Sequence, residues 1–341
     1  MSTRARPGVL SRFLGWVSGL PAGGWWFYPL LYGLVFVLPH VALWATGQLP
    51  VGSIHPLLAV GAFYAPYVMA AIAWINRSSG RAVDAFWPAT GWPDEDRELW
   101  RRRLVDTPDR WDVPAVALGL AVAIIGLASA SPAAIGDVDR AAILAALLPS
   151  AVLGYVIAPL AIIHSAYQLR TVARIHREAT MVDPFDRVSL YAFSSLTART
   201  GVAYIVIGYY GVTANGAFQE GNIVALLVLV AVFAIGLACF VFPLWGIHDR
   251  LVKEKEALIR DVELRLSRLS EEIYRRIDAG QFDATKVVSD ALGAVSELRK
   301  RIDDVPTWPW RPRVLSGFIS ALLLPVAIYL ITRAVANQLG A

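Results

Sequence analysis

Lysine is nearly missing from this chain: only Lys253, Lys255, Lys286 and Lys300 occur, all within one stretch between Ile247 and Arg313. None lies in a long apolar run, which excludes a retinal-type pigment held by a Schiff base. The single cysteine, Cys239, sits in an apolar run, so there is no disulfide framework. Charge is equally absent from the interior of every long apolar run, and buried charge is the usual mark of ion-coupled transport. No string of the form G-x-x-x-x-G-K-[ST] or G-x-G-x-x-G occurs, so nucleotide binding has no anchor. Arg4, Arg6 and Arg12 precede no small-residue cleavage site, so the sequence predicts no removable signal peptide.

What is present is hydrophobic. The chain of 341 residues is 56% hydrophobic and 17% charged, with mean hydropathy +0.52, a composition outside the range of soluble domains. Apolar runs at 25–45, 56–75, 114–131, 142–168, 201–213, 222–246 and 314–332 approach the ~20 residues that cross a bilayer core. The fifth continues from a more polar helix. Arginines crowd the segment before the first run, the connections 76–113 and 170–200, and the stretch after the sixth. The connections 47–55, 132–141 and 214–221 share only Arg140. Cytoplasmic segments carry the excess of Lys and Arg, so the expected fold is all-α and polytopic, with seven transmembrane helices, N-terminus inside and C-terminus outside, in the cell membrane.

The organising stretch is 247–313. Leu251, Leu258, Val262, Leu266, Leu269, Ile273 and Ile277 fall on one face of a helix. Opposite charges stand four apart at 249–253, 250–254, 256–260, 261–265, 271–275 and 272–276, each pair adding a few tenths of a kcal/mol. Gly280 reads as a stop and Asp283 as the cap of a second helix, whose stripe is Val288, Leu292, Val295, Leu298, Ile302 and Val305. Two facing stripes imply an antiparallel, coiled-coil-like hairpin on the cytoplasmic side. The organisation is therefore 1–24, an interfacial N-terminal segment with an amphipathic helix from Val9 to Leu20; 25–246, six spans; 247–313, the hairpin; and 314–341, span seven with an external C-terminus. Within 76–113 a short helix opened by Pro93-Asp94-Glu95 is expected to bury Leu99, Trp100 and Leu104.

The strings Val182-Asp183-Pro184-Phe185, Leu190-Tyr191-Ala192-Phe193-Ser194 and Thr307-Trp308-Pro309-Trp310-Arg311-Pro312 resemble a group of uncharacterised prokaryotic multi-pass membrane proteins over spans four to seven. That resemblance implies no activity. The seven-span order with cytoplasmic helices before the last span resembles, in topology alone, the insect odorant-receptor channels, whose terminal-helix sequence pattern is absent here.

No catalytic, cofactor or metal constellation emerges, and no enzyme is expected. Glu271-Glu272-Ile273-Tyr274-Arg275-Arg276 echoes a paired-glutamate protease motif, but no histidine follows His248. His176, Glu178, Asp183 and Asp186 match no metal-ligand spacing, and capping explains the two aspartates. His40 and His164 are candidate polar gates, set against the plainer reading of histidines bonded to a neighbouring helix. Prolines 39, 66, 149, 159, 243 and 325 free backbone carbonyls inside spans, and Tyr204, Tyr209, Tyr210 and Thr213 form a part-polar face. In span seven, Ser316, Ser320, Leu323 and Ala327 share one face above Arg313, a candidate pore or packing surface. The expected partners are the lipid bilayer, further copies of the chain, and a cytoplasmic protein met through the hairpin. Near-balanced hairpin charge argues against nucleic acid. The reading that follows is a non-enzymatic channel or channel-like receptor, the alternative a membrane scaffold or sensor. Cysteines at positions 51 and 136 should react with an impermeant external thiol reagent, and one at 280 should stay protected; labelling at 280 would overturn the orientation.

Overall fold

A computed structural model of the protein describes residues 6–128, 138–214 and 223–339. Expectations for 132–137, 215–221 and the side chains of Thr213 and Pro325 lie outside the described residues. In chain order the helices are α1 (Val9–Ser18), α2 (Phe27–Ala45), α3 (Pro56–Thr90), α4 (Arg97–Val105), α5 (Asp112–Ala128), α6 (Arg140–Glu178), α7 (Arg187–Leu190), α8 (Ser194–Ala214), α9 (Ile223–Asp278), α10 (Phe282–Asp303) and α11 (Pro312–Leu339). Among the described residues no strand forms; a single isolated bridge joins Pro7 to Pro108.

Among the described residues, five stretches are long and apolar enough to cross a membrane: Phe27–Ala45, Pro56–Thr90, Arg140–Glu178, Arg187–Gly211 and Val230–Asp278. Their outward faces are apolar. Leu34 and Leu38 on α2, Ile124 and Ile125 on α5, and Phe242 on α9 are all exposed, which a water-soluble surface of this extent would not tolerate. The bundle has two distinct ends. One gathers Leu43, Leu58, Val138, Ile143 and Leu147. The other gathers Ile75, Phe86, Trp100, Leu104, Val172, Leu190, Phe193, Leu244 and Ile247. The arginine-rich connections 76–113 and 170–200 and the stretch after the sixth run thus collect at one end, and the arginine-poor connection 47–55 lies at the other.

At the arginine-rich end α3, α6 and α9 run well past the ends of the apolar runs. α9 is one helix of 56 residues, about 84 Å long at ~1.5 Å per residue, so the sixth apolar run and the long hairpin arm are a single rod. Its stop is Gly280 at φ +71°, a left-handed position that glycine takes without strain. α10 returns beside it, with Val262, Val288 and Ile302 buried. The Lys255 ammonium donates to the Asp303 and Val305 carbonyls at 2.6 and 3.0 Å, and Arg299 Nη1 meets Glu263 Oε1 at 2.7 Å across the hairpin.

Several local expectations are corrected. α10 begins at Phe282 after Gln281, one residue ahead of a cap at Asp283. Leu298 is exposed, and Arg299 takes its place on the seam, holding Glu263 and Asp303; Ile277 is exposed too. Arg275 pairs with Glu272 rather than Glu271, while the other five expected pairs form. α4 buries Trp100 and Leu104 but leaves Leu99 out, because Trp100 stacks on Trp92 at 4.5 Å and sets the helix face. α1 matches its amphipathic reading, with Leu10, Leu14 and Val17 inward and Trp16 exposed. Asp112 Oδ2 accepts from the Val9 N–H at 2.8 Å, so a residue of α5 caps α1.

α8 and α9 cross at close range. A Cβ on Gly201 would stand 2.5 Å from the Gly236 carbonyl oxygen and 2.7 Å from Phe318 Cε2, whereas one on Gly317 meets nothing within 4 Å. Gly201→Leu should therefore cost on the order of 1–3 kcal/mol through overpacking, and Gly317→Leu close to nothing. Thermal unfolding in detergent checks this, and equal midpoints for the two variants would contradict the crossing.

Candidate functional site

The arginine-rich end encloses a polar cluster that begins with simple helical spacing. Asn76 and Ser79 lie three apart on α3, and His164 and Gln168 four apart on α6, so each pair shares a face. The faces meet. His164 Nε2 lies 3.0 Å from Asn76 Oδ1 and Nδ1 2.8 Å from Thr107 Oγ1. An amide oxygen only accepts, so Nε2 carries the ring hydrogen and Nδ1 accepts from the threonine hydroxyl. The Gln168 amide donates towards Asn76 Oδ1 at 3.1 Å, Ser79 Oγ at 3.1 Å and the Leu104 carbonyl at 2.8 Å. That carbonyl closes α4, whose last carbonyls have no partner within the helix. Ser11 of α1 joins in: its hydroxyl donates to the Val105 carbonyl at 3.3 Å and accepts from the Thr107 N–H at 3.1 Å. One network thus binds α1, α3, α4 and α6.

His40 belongs to the opposite end. Its Nδ1 donates to the Phe36 carbonyl at 2.6 Å, and its Nε2 accepts from the His55 N–H at 3.1 Å. His40 and His164 are both buried, with both ring nitrogens engaged, and the fold does not bring them together. The acids of the 170–200 connection are also drawn apart. Asp183 accepts from the Phe185 N–H at 2.9 Å. Asp186 caps α7 by accepting from Val188 N–H at 3.0 Å, and the Ser189 hydroxyl foremost holds its carboxyl below the usual carboxylate range. Glu178 pairs with Arg174, and His176 is buried edge-on between Phe86 and Phe193. Among the described residues no three His, Cys, Asp or Glu gather for a metal ion. On α8, Tyr210 packs on Phe63 with ring centres 4.2 Å apart.

On α11, Phe318 is buried, and Val314, Leu315 and Leu322 pack with it against the cluster holding Ile205 and Phe240. Arg313, Ser316, Ser320, Leu323 and Ala327 all face away from the bundle and are exposed. Residues that simple pattern reading overlooks tie this helix to the hairpin. His248, Trp308, Trp310, Phe240 and Phe318 form a column of near-parallel rings, with successive centres 3.7, 4.3, 4.7 and 4.1 Å apart. The His248 Nδ1–H donates to the Thr307 carbonyl at 2.8 Å. The two tryptophans of Thr307-Trp308-Pro309-Trp310 therefore clasp α9 to α11. Their dense aromatic spacing was the available signal for the column; Asn76 and Gln168 were signalled only by being polar within otherwise apolar helices.

These features define an all-α protein with, among the described residues, five potential membrane-crossing helices and a long projecting hairpin. No protein-family model matches the chain, and it matches no curated protein and no solved structure.

Gln168→Leu should lower stability by roughly 1–3 kcal/mol, because it strips the donor from the buried Leu104 carbonyl. The unfolding midpoint should fall while Ser316→Ala, on the exposed face, leaves it unchanged; no shift for Gln168→Leu would mean the network carries no weight.

Proposed function

We propose that the chain is a seven-span protein of the cell membrane, N-terminus inside and C-terminus outside, acting as a non-enzymatic channel or channel-like receptor. Further copies of the chain would surround an axis near α11, with the arginine-rich end and hairpin as a cytoplasmic assembly layer. The observation that carries this reading is the outward face of α11. Ser316, Ser320, Leu323 and Ala327 are left unused by their own bundle, and small or hydroxyl side chains suit either a close helix contact or a wetted axis better than bare lipid. In this reading Leu323 is an apolar constriction and Arg313 a positive mouth that disfavours cations. The collection of arginine-rich connections at one end supports the orientation, and α5 and α11 would supply the two crossings beyond the five long apolar stretches.

A second reading, a membrane scaffold or sensor that recruits a cytoplasmic protein, is favoured by the hairpin. Its arms project far beyond the bundle as a rod stiffened by Arg299 and Lys255. Bilayer recordings separate the two. Leu323→Ser should raise basal conductance about tenfold or more, by removing a barrier of at least ~1.4 kcal/mol, and Arg313→Gln should shift the reversal potential towards cations. A protein silent in both forms supports the scaffold.

A further inference from the structure

Beside the base of the hairpin lies a cleft of about 220 Å³, lined by Pro184, Phe185, Arg187, Arg301, Asp304 and Pro306. That volume far exceeds the ~10–15 Å³ needed to hold one water. We propose that this cleft is a binding site for a phosphate-bearing anion, and specifically for the headgroup of an acidic phospholipid; the lipid assignment rests on the membrane reading above.

Three observations carry it. The first is charge. The Arg187 guanidinium makes no ion pair with a described residue, and Arg301 reaches only Glu297 at 3.9 Å while remaining largely exposed. Two under-used guanidinium groups against the single carboxylate of Asp304 leave the cleft positive, and the planar guanidinium fork suits phosphate oxygens. The second is the wall. Phe185 is exposed at the cleft and Pro184 and Pro306 flank it, an apolar lining that suits a headgroup's glycerol and upper acyl carbons better than a bare ion. The third is height. Pro306 adjoins Thr307, whose carbonyl is bonded to His248, and Trp308 touches Trp245 with ring centres 5.8 Å apart. His248 stands two residues past the end of the sixth apolar run, or ~3 Å along the helix. A headgroup layer is roughly 5–8 Å deep on each side, and tryptophans cluster at that level. The cleft, whose Val305 carbonyl is also held by Lys255 nine residues past that run, therefore opens at and just beyond the headgroup layer, on the arginine-rich side that faces the acidic leaflet in this reading.

The test uses the full chain in phosphatidylcholine nanodiscs doped with phosphatidylglycerol. Lipid retained after extraction into detergent is counted by mass spectrometry. Wild type should retain phosphatidylglycerol over phosphatidylcholine. Arg187→Gln and Arg301→Gln should each weaken retention roughly fivefold, the effect of one cation near a charged surface, while the corresponding Lys variants keep most of it. Asp304→Asn should strengthen retention by a similar factor, a gain that mere loss of fold cannot produce. Competition by inorganic phosphate against a soluble phosphate probe forms a second arm. Phosphate binding without lipid retention keeps the anion site and refutes the lipid source. Retention insensitive to both arginines and to Asp304, with no phosphate binding, overturns the proposal. Should alkaline washing strip the chain from vesicles, the membrane reading fails, and the phosphate arm still judges the cleft.

Discussion

Burial of one apolar core at the arginine-rich end is the constraint on which the other features depend. Phe86, Leu104, Leu190, Phe193, Leu196, Leu244, Ile247 and Leu251 are all but sealed from solvent. They come from α3, α4, α7, α8 and α9 and from the turn between α7 and α8. At ~25 cal/mol per Å² of apolar area removed from water, this is a far larger driving force than any ion pair on the surface. To reach that core α3, α6 and α9 must remain helical beyond the length a bilayer needs. The continuity of those helices is a consequence of packing outside the apolar runs.

Polar contacts then complete what burial imposes. Sealing helix ends inside a core strands their terminal carbonyls, and each must find a donor. The Ala89 and Thr90 carbonyls take the N–H groups of Met181 and Thr180 at 3.0 and 3.1 Å. The Leu104 carbonyl takes the Gln168 amide, and the Ala179 carbonyl takes Arg250 Nη1 at 2.6 Å. The first pair pins the connection after α6 to the end of α3, and the other two tie a helix end to a side chain of a neighbouring helix. His164 belongs to the same economy of donors and acceptors, which is why it is enclosed with a defined tautomer.

The aromatic column gives the chain a stiff joint between two elements of different character. α9 carries an apolar run and a charged arm in one rod, and the stacked rings from His248 to Phe318 lay α11 against its middle. Aromatic pairs of this kind contribute about 0.5–1.5 kcal/mol each beyond the area they bury. The column thereby joins the base of the hairpin directly to α11.

Much of the architecture was legible in residue order, because hydropathy and arginine placement report directly on the solvent each segment prefers. The two helical arms of the hairpin, the Gly280 stop, the amphipathic pattern of α1 and the caps at Asp183 and Asp186 depend on residues close in sequence, and local pattern is enough for them. Leu99, Leu298 and Arg275 were misplaced for the opposite reason. Their orientation is decided by Trp92, by Glu263 and by Glu272, competitors that a stripe or a four-residue spacing does not weigh. The clustering of Asn76, Thr107, His164 and Gln168, the ring column and the cleft between Arg187 and Arg301 join positions tens to more than a hundred residues apart. By itself the sequence determined which segments are apolar, which are helical and where charge is excluded; only the tertiary structure decided which polar side chains meet, since that depends on how helices rotate about their axes to bury their largest faces.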